Sequence, residues 1–272
     1  MASAPAAVIT SRSPPIIASC DAVTVTEVLR ILNTVPSKHC DLDPIPTWLV
    51  KKAAGVHAPV ICTMCNSSVQ SGVLPKSQKH AIIRPRLKKP GLDATRHDSY
   101  RPISNLSFIS KLIERVVAAR YVKHAEDNQL FPARQSAYRR FHSTDTAVAV
   151  VPNDLVRAAD AGHVTGLVLL DLSSAFDTVD HSLLLSILRS GFGVDGLALR
   201  WFQSYLSERT QTFVVNGTQS STFHVDCSVP QGSVLGPLQF ISYTDDVTSA
   251  FDQHDRAIFV LELILVFVFI LF

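Results

Sequence analysis

Apolar residues recur at helical spacing in four segments of the chain. The segments Thr24–Leu32, Phe108–Ala119, Ser182–Leu188 and Leu197–Leu206 each place most of their apolar side chains on one face of a helix. Such a one-sided pattern is typical of helices that pack against a core. The pattern therefore predicts four amphipathic helices, and Pro36 is expected to close the first of them.

Prolines are expected to set the limits of two further helices. Pro46 and Pro59 bound a helix around Thr47–Ala54, and a helix over Thr144–Val151 is expected to stop at Pro152. A proline inside a helix removes a backbone hydrogen bond and crowds the preceding turn. Both helices are therefore predicted to be short.

Strands are predicted where short apolar runs lie beside turn residues. Ala81–Arg84 is one such run, and the continuous run Val168–Leu170 suits a central strand with both faces buried. Thr212–Val215 and Thr222–Val225 flank Asn216-Gly217, a strong type I′ hairpin signal. Helices mixed with short strands and a tight hairpin predict the α+β class.

The composition allows a real core and changes the picture mainly through the placement of charge. The chain has 272 residues, of which 47% are hydrophobic and 18% charged, with a formal net charge of +2. A net charge this small does not indicate a nucleic-acid binder, but one segment is strongly basic and would neutralise phosphates. A solvated loop is the alternative. The cations of this basic segment are Lys76, Lys79, Arg84, Arg86, Lys88, Lys89, Arg96 and Arg101.

The cysteines indicate reduced thiols in an intracellular protein. There are five, an odd number without the spacing of a disulfide framework. Cys62 and Cys65 form a CxxC, but no second pair of Cys or His lies nearby to complete a zinc site. We therefore interpret both as core residues of an apolar helical stretch, with a metal or redox site as the alternative.

The two ends of the chain have opposite character. Residues 1–19 lack the basic segment and the long apolar run of a signal peptide. We interpret them as a disordered leader. Phe259–Phe272 is almost wholly apolar, yet shorter than the about 20 residues that a membrane span needs. A buried strand or helix, a tail anchor and a non-native terminus remain open for this segment. We expect an intracellular protein, in the cytoplasm or nucleus, without membrane association.

Candidate chemistry begins at Asp171, which ends the apolar run Val168–Leu170. A carboxylate at the end of a buried strand is rigidly held and suits a divalent cation. A turn residue at a strand end is the alternative for this aspartate. Asp177 and Asp180 are better interpreted as caps of the next helix.

Three segments together resemble the reverse transcriptase of non-LTR (LINE-type) retrotransposons. They are YRPISNLSFISKLIER at 100–115, LVLLDLSSAFDTVDH at 167–181 and SVPQGSVLGP at 228–237. The likeness extends over most of the chain, from about Cys20 to Asp255. It implies the fingers and a partial palm of a right-hand polymerase, with an antiparallel palm sheet and packed helices.

The resemblance also implies roles for individual residues. Asp171 would be a catalytic acid that holds Mg²⁺ or Mn²⁺, the backbone of Leu172 would lie near the triphosphate, and Phe176 would be the steric gate against a 2′-hydroxyl. Lys88 or Lys89 and Arg101 would grip the triphosphate, while Gln231 and Gly232 would lie at the nucleotide. The template contacts implied are Gln135, Tyr138, Arg139 and Arg140.

Tyr243-Thr244-Asp245-Asp246 matches the family's Y-x-D-D tetrad in letters, and we interpret it as a chance match. In this class a full helix separates the glutamine–glycine motif from the strand–turn–strand that carries the paired acids, and Gln231 lies too close to Asp245 for that. The paired acids are expected beyond Arg256, where the tail begins and contains no aspartate. Asp171 would then lack at least one partner acid.

These inferences predict a domain order and a function. The family activity is RNA-directed DNA synthesis from an RNA template, a DNA primer and dNTPs, and we expect this copy to be incomplete and catalytically incompetent alone. A non-catalytic RNA or RNA–DNA binding remnant is the alternative, a membrane-associated product is a third, and no stable protein partner is predicted. The predicted divisions are disordered leader 1–19, N-terminal helical extension 20–75, fingers 76–160, partial palm 161–257 and an apolar tail 258–272 outside the family pattern.

Overall fold

The computed structural model describes residues 13–38, 40–132, 136, 138–139, 141–171, 175–245, 257–261 and 264–271. Helices and strands follow one another in a mixed order within these ranges. The helices are α1 (Val25–Thr34), α2 (Thr47–Lys52), α3 (Ala54–Ser71), α4 (Phe108–Asp127), α5 (Thr144–Asp160), α6 (His181–Ser190), α7 (Gly196–Leu206) and α8 (Gly236–Tyr243). The strands are β1 (His80–Leu87), β2 (Tyr100–Asn105), β3 (Val164–Asp171), β4 (Arg209–Val215), β5 (Thr218–Gln219), β6 (Phe223–Val225), β7 (Ala257–Leu261) and β8 (Ile264–Leu271).

The apolar faces of α1, α3, α4, α6, α7 and α8 share one hydrophobic core. Tyr121 on α4 lies at its centre, with its ring 5.7 Å from that of Phe202, 5.8 Å from Phe192 and 6.2 Å from Phe131. Such offset and edge contacts add to the free energy gained from burial alone. The four helices predicted from apolar spacing are all present, and they supply most of this core.

Side-chain caps fix where several of these helices begin. Thr24 accepts a hydrogen bond from the Glu27 N–H before α1, and Asp180 does the same for the Leu183 N–H before α6. Ser107 accepts one from the Ser110 N–H at the start of α4. These caps satisfy backbone groups that have no partner within the helix. Asp180 thus caps the next helix, as the sequence indicated.

The predicted stops at Pro59 and Pro152 are wrong, whereas α2 begins directly after Pro46 as predicted. Helix α5 continues through Pro152 to Asp160, and α3 contains Pro59. A capping box between Ser143 and Thr146 secures the start of α5, and the helix packs along β3. A helix held at its start and along its side tolerates the loss of one backbone hydrogen bond, so tertiary packing outweighs the local cost of proline.

The larger sheet is mixed and has the strand order β2–β1–β4–β5, with β6 also paired to β4. Strands β1 and β4 run parallel, whereas the other pairs are antiparallel. The turn at Asn216-Gly217 has positive φ at both residues, as a type I′ turn requires. Val215 pairs with Thr218 across it, so the hairpin closes earlier than the sequence suggested.

The second sheet contains the apolar tail. Its order is β3–β8–β7, with both pairs antiparallel, and Asp171 at the end of β3 pairs with Ile264. Among the interpretations open for the tail, its described backbone adopts strands. Among the described residues, no helix is both long and apolar enough to cross a bilayer.

The CxxC cysteines lie within helix α3, where both are buried. The Cys62 thiol donates to the Val23 carbonyl at 3.2 Å, and burial raises the pKa of Cys65 to about 12. A thiol with such a raised pKa is inert at neutral pH. The interpretation of both as core residues is therefore confirmed.

Candidate functional site

The loop that follows β3 carries the first set of predicted site residues. Asp171 is the last residue of β3, which places its backbone at a strand end as predicted. Leu172 lies outside the described residues. Phe176 is half-buried, with its ring 5.2 Å from that of Phe240 on α8. The proposed gate is therefore supported from behind by an aromatic core residue.

Hydrogen bonds join this loop to the segment that contains Pro230-Gln231-Gly232. The Val229 N–H donates to the Phe176 carbonyl and the Ser228 N–H to the Val179 carbonyl, both at 2.9 Å. The Gln231 amide nitrogen donates to the Asp177 carboxylate at 3.2 and 3.4 Å. Two motifs some fifty positions apart in the sequence are thus held side by side.

The same segment is also attached to the edge strand β2. The Ser104 N–H donates to the Gln231 carbonyl at 2.8 Å. Gly232 has a φ of +105°, and a Cβ atom there would lie 3.0 Å from the Ser104 carbonyl oxygen. Only glycine fits this close approach without strain. Gln231 therefore lies where the β2 motif and the loop after Asp171 come together.

One face of the β1–β2 ladder is basic. Arg86 lies directly opposite Arg101, and Arg84 lies opposite Ile103. Opposed residues in an antiparallel pair, and alternate residues along a strand, share a face. Arg84, Arg86 and Arg101 therefore share one face of the ladder, and all three are exposed. Two opposed arginines repel each other, which favours an anion between them.

Lys88 and Lys89 follow the end of β1 and are also exposed. The Lys88 N–H donates to the Ser99 carbonyl at 2.9 Å, which continues the pairing with the segment before β2. Both lysines thus lie at the tip of the hairpin whose basic face carries Arg86 and Arg101. The structure brings the predicted triphosphate contacts together without distinguishing between the two lysines.

A cleft of about 720 Å³ opens on this basic face. Gly232 and Ser233 form part of its wall, so these two residues share one cavity with Arg84 and Arg86. Three further cations line it that sequence reasoning missed: Lys38, Lys111 and Arg115. Lys111 and Arg115 are four positions apart on α4, a spacing that marks one helix face and was available as a signal.

Two carboxylates also line the cleft and belong to its framework. Asp41 forms an ion pair with Arg84, and both side chains are about half exposed. Asp43 accepts from the Phe108 N–H at 2.7 Å at the start of α4. The segment before α2 is thereby attached to both walls of the cleft, which remains basic overall.

Glu114 is a buried carboxylate beside the cleft that the sequence analysis overlooked. Its Oε2 atom accepts from the Val234 N–H at 2.7 Å and from the Leu235 N–H at 3.2 Å. Burial raises the pKa of Glu114, while the Arg209 guanidinium and these two N–H groups act to lower it. Glu114 lies away from the predicted apolar stripe of Leu112, Ile113 and Val116, so residue spacing gave no signal of its burial.

The predicted template contacts are only partly described. Gln135 and Arg140 lie outside the described residues, whereas Tyr138 is exposed with a φ of 57°. Arg139 forms a bidentate contact with Glu126 at 2.8 and 3.1 Å and donates to the Pro132 carbonyl. A template phosphate would have to compete with Glu126 for this guanidinium.

The tetrad Tyr243–Asp246 begins at the end of a helix. Tyr243 is the last residue of α8, and the Thr244 hydroxyl donates back to the Phe240 and Ile241 carbonyls at 3.1 and 3.2 Å. Asp245 is buried, and Asp246 lies outside the described residues. The described part of the tetrad has the backbone of a helix end, not of a strand–turn–strand.

The described residues do not complete a site for two metal ions. Among them, no group of three or more His, Cys, Asp or Glu side chains lies close enough together to hold a metal. The backbone of Asp171 pairs with that of Ile264 on β8, which carries no carboxylate. Paired divalent ions require several converging carboxylates, and the donor set described is smaller than that.

Comparison with known proteins agrees with the motifs. The chain matches the reverse transcriptase (RNA-dependent DNA polymerase) family over residues 87–268, which includes most of the apolar tail. It is 30% identical over 226 residues to the probable RNA-directed DNA polymerase from transposon BS of Drosophila melanogaster, covering 83% of this chain and 25% of that protein. It is 29% identical to the RNA-directed DNA polymerase from mobile element jockey of Drosophila funebris, covering 84% of this chain and 25% of that protein.

A more distant relative is the retrovirus-related Pol polyprotein from type-1 retrotransposable element R2 of Popillia japonica. It is 28% identical over 156 residues, which are 57% of this chain and 21% of that protein. The chain thus spans about a quarter of the length of these two Drosophila relatives. The family match over more than half of the chain, together with the three motifs, shows that the chain belongs to the reverse transcriptase family of non-LTR retrotransposons.

Proposed function

We propose that this chain forms the nucleotide- and template-binding part of an RNA-directed DNA polymerase. The observation that carries the proposal is the position of Gln231. Its carbonyl accepts from Ser104 in the arginine-bearing motif, and its amide donates to Asp177 in the loop that follows Asp171. Three motifs therefore meet at one residue beside a basic cleft.

The cleft suits a polyanion with one compact phosphate cluster. Arg86 and Arg101 oppose each other across the β1–β2 ladder, and a triphosphate between them would relieve their repulsion. Lys38, Lys111 and Arg115 line the same cavity as Arg86 and would neutralise a strand of nucleic acid. We assign the arginine pair and Lys88 or Lys89 to the dNTP, and the other cations to the template.

Phe176 would supply sugar selection. Phe240 lies behind its ring, so the side chain resists displacement when a nucleotide with a 2′-hydroxyl enters. A dNTP lacks that hydroxyl and would fit. Gly232 would let the backbone approach the nucleotide closely, because it carries no Cβ atom.

The chain by itself is proposed to bind its substrates and to extend a primer very slowly or not at all. The tetrad Tyr243–Asp246 begins on a helix end, and Asp171 pairs with Ile264. The apolar tail 258–272 contains one acid, Glu262, and no aspartate. Among the described residues, no group of three or more His, Cys, Asp or Glu side chains supplies Asp171 with the partner acids that the reaction requires.

Two measurements on the purified chain test this proposal. We expect a dNTP to bind in the presence of primer, RNA template and Mg²⁺, and a double change, Arg86→Ala with Arg101→Ala, to weaken binding more than tenfold. Arg96→Ala is the matched control, because Arg96 is exposed, is paired with Asp98 and does not line the cleft. Equal effects of both changes would contradict the assignment.

Primer extension on the same RNA template tests the acids. We expect little or no extension by the unmodified chain. If it extends the primer, and both Asp171→Ala and Asp245→Ala abolish the activity, then Tyr243–Asp246 is the catalytic turn and its interpretation as a chance match is wrong.

A second candidate function is a binding module without nucleotide chemistry, favoured by the row of cations along the cleft. It predicts salt-dependent RNA binding that Arg84→Ala and Lys111→Ala weaken together, without any measurable dNTP affinity. Retained dNTP binding separates the first function from the second.

A further inference from the structure

Glu114 is a charged side chain with no solvent exposure, and its main partners are backbone groups of another segment. Its Oε2 atom accepts from the N–H groups of Val234 and Leu235 at 2.7 and 3.2 Å. The Ser110 hydroxyl contacts Oε1 at 3.3 Å from the same helix. A carboxylate is costly to bury, so these bonds mark a specific structural purpose.

The two N–H groups lie at the start of helix α8. The first N–H groups of a helix have no partner within it and attract negative charge. Ser233 serves the next one, because its hydroxyl accepts from the Gly236 N–H at 2.8 Å. Leu235, the N-terminal cap residue, has no hydrogen-bonding side chain, so a glutamate on α4 does the capping instead.

This contact fixes one end of the segment that carries the predicted nucleotide contacts. The other end is held by β2, through the Ser104 N–H to Gln231 and the close approach of Gly232 to Ser104. The segment Pro230–Leu235 is short, so a shift at Val234 would be transmitted to Gly232 and Gln231. Glu114 itself does not line the basic cleft.

A buried cation and a tyrosine hydroxyl lie close to Glu114. Arg209 on β4 is buried, its guanidinium lies 4.9 Å from the centre of the Tyr205 ring, and it donates to the Tyr205 carbonyl at 3.0 Å. The Tyr205 hydroxyl lies 3.4 Å from Glu114 Oε2. Elements α4, α7, α8 and β4 thus converge on one carboxylate.

We propose that Glu114 is a positioning residue: it holds Pro230–Leu235 so that Gln231 and Gly232 present a fixed surface to the incoming nucleotide. This inference rests on the proposed function for its nucleotide part. The part of the inference that concerns the position of Pro230–Leu235, its loop part, rests on the geometry alone. Glu114→Gln is the informative change, because it keeps the shape and one acceptor while it removes the charge.

The test compares Glu114→Gln with Glu27→Gln in the full chain. Glu27 also contacts α4, through Arg120, and touches no residue of the segment 230–235 in the described structure. We expect amide hydrogen exchange at Val234 and Leu235 to rise about tenfold in Glu114→Gln, the value of one lost charge-assisted bond, and to stay unchanged in Glu27→Gln.

Nucleotide binding is measured in parallel, with dTTP, Mg²⁺ and an oligo(dT) primer on poly(rA). We expect Glu114→Gln to weaken dTTP binding several-fold while affinity for the primer–template stays within twofold, a split that general destabilisation would not produce. Unchanged exchange at Val234 and Leu235, or equal losses in both variants, would overturn the inference. If the unmodified chain binds no dTTP, the proposed function and the nucleotide part fail together, and the exchange comparison still decides the loop part.

Discussion

Helix α4 carries charged contacts on two sides, and they differ in their access to solvent. On one side Glu114 is completely buried and accepts bonds from backbone N–H groups. On the other side Arg120 and Glu27 form an ion pair whose side chains are 14% and 18% exposed. Arg120 also donates to the Asp21 and Ala22 carbonyls at 3.2 and 3.3 Å.

Both contacts hold a segment that has no regular structure of its own. Glu114 fixes the segment before α8, and Arg120 fixes the segment before α1. Solvent decides how costly each contact is to break, because water can replace a partner at the Arg120 side but not around Glu114. The same helix therefore anchors a proposed nucleotide-binding loop firmly and an N-terminal segment more loosely.

The largest effect on stability is expected when the contacts of the buried Glu114 are removed. Glu114→Ala should lower the free energy of unfolding by about 3 to 5 kcal/mol, since it leaves two buried N–H groups without their acceptor and removes the negative charge near the buried Arg209. Chemical denaturation measures this. Asp127→Ala on the same helix is the control: its ion pair with Lys123 is exposed, and its loss should cost under about 0.5 kcal/mol. A small effect of Glu114→Ala would mean that water reaches the site.

Gln239 on α8 extends the comparison to a buried amide for which the described residues supply no hydrogen bond. Both of its amide atoms are buried and have no hydrogen-bond partner among the described residues. Gln239→Leu should therefore raise the free energy of unfolding by about 1 to 3 kcal/mol. Gln203→Leu, at an exposed position of α7, should change it by less than about 0.5 kcal/mol. Destabilisation by Gln239→Leu would indicate an undetected partner.

The ion pair between Arg120 and Glu27 should make stability depend on pH. The hydrogen bond from Arg120 holds the pKa of Glu27 below its ordinary value of 4.5. A carboxyl whose pKa is lowered by folding adds stability above its unfolded pKa, and this is lost as pH falls through the folded value. Glu27→Gln should thus cost about 1 kcal/mol at pH 7. The difference from the unmodified chain should shrink below pH 4.5; a constant difference would exclude titration of Glu27.

The smallest effect on stability is expected at the exposed pair of Arg84 and Asp41. Arg84→Ala should cost less than about 1 kcal/mol, because solvent screens the pair. It should nevertheless reduce the slope of log K against log salt for single-stranded RNA by about 0.7, the value of one phosphate contact. Filter binding over a salt series measures this. Arg96→Ala should leave the slope unchanged, and a reduced slope there would argue against a defined cleft.

Much of the secondary structure follows from local sequence. Apolar spacing predicted α1, α4, α6 and α7, and the positive φ values at Asn216 and Gly217 confirm the predicted turn. The failures lie where a local rule met tertiary contacts. Pro152 does not end α5, because the capping box at Ser143 and packing along β3 hold the helix through it.

The site was predictable by residue type more than by geometry. Sequence motifs selected Arg101, Gln231 and Gly232, and the structure brings the strand of Arg101 and the segment of Gln231 together. The sequence motifs did not select Arg86 as the partner of Arg101, because the pairing of these two residues depends on strand register. Glu114 was missed because its partners are backbone N–H groups, which leave no trace in residue identity.

The sequence by itself determined the family, the helices and the chemical groups, since motifs and apolar periodicity are local properties of the chain. Only the tertiary structure decided which groups meet: the joining of Ser104, Gln231 and Asp177, the burial of Glu114, and the pairing of the apolar tail with β3. These contacts join residues far apart in the chain. Their strength depends on exclusion of water and on exact distance, and neither is encoded at any single position.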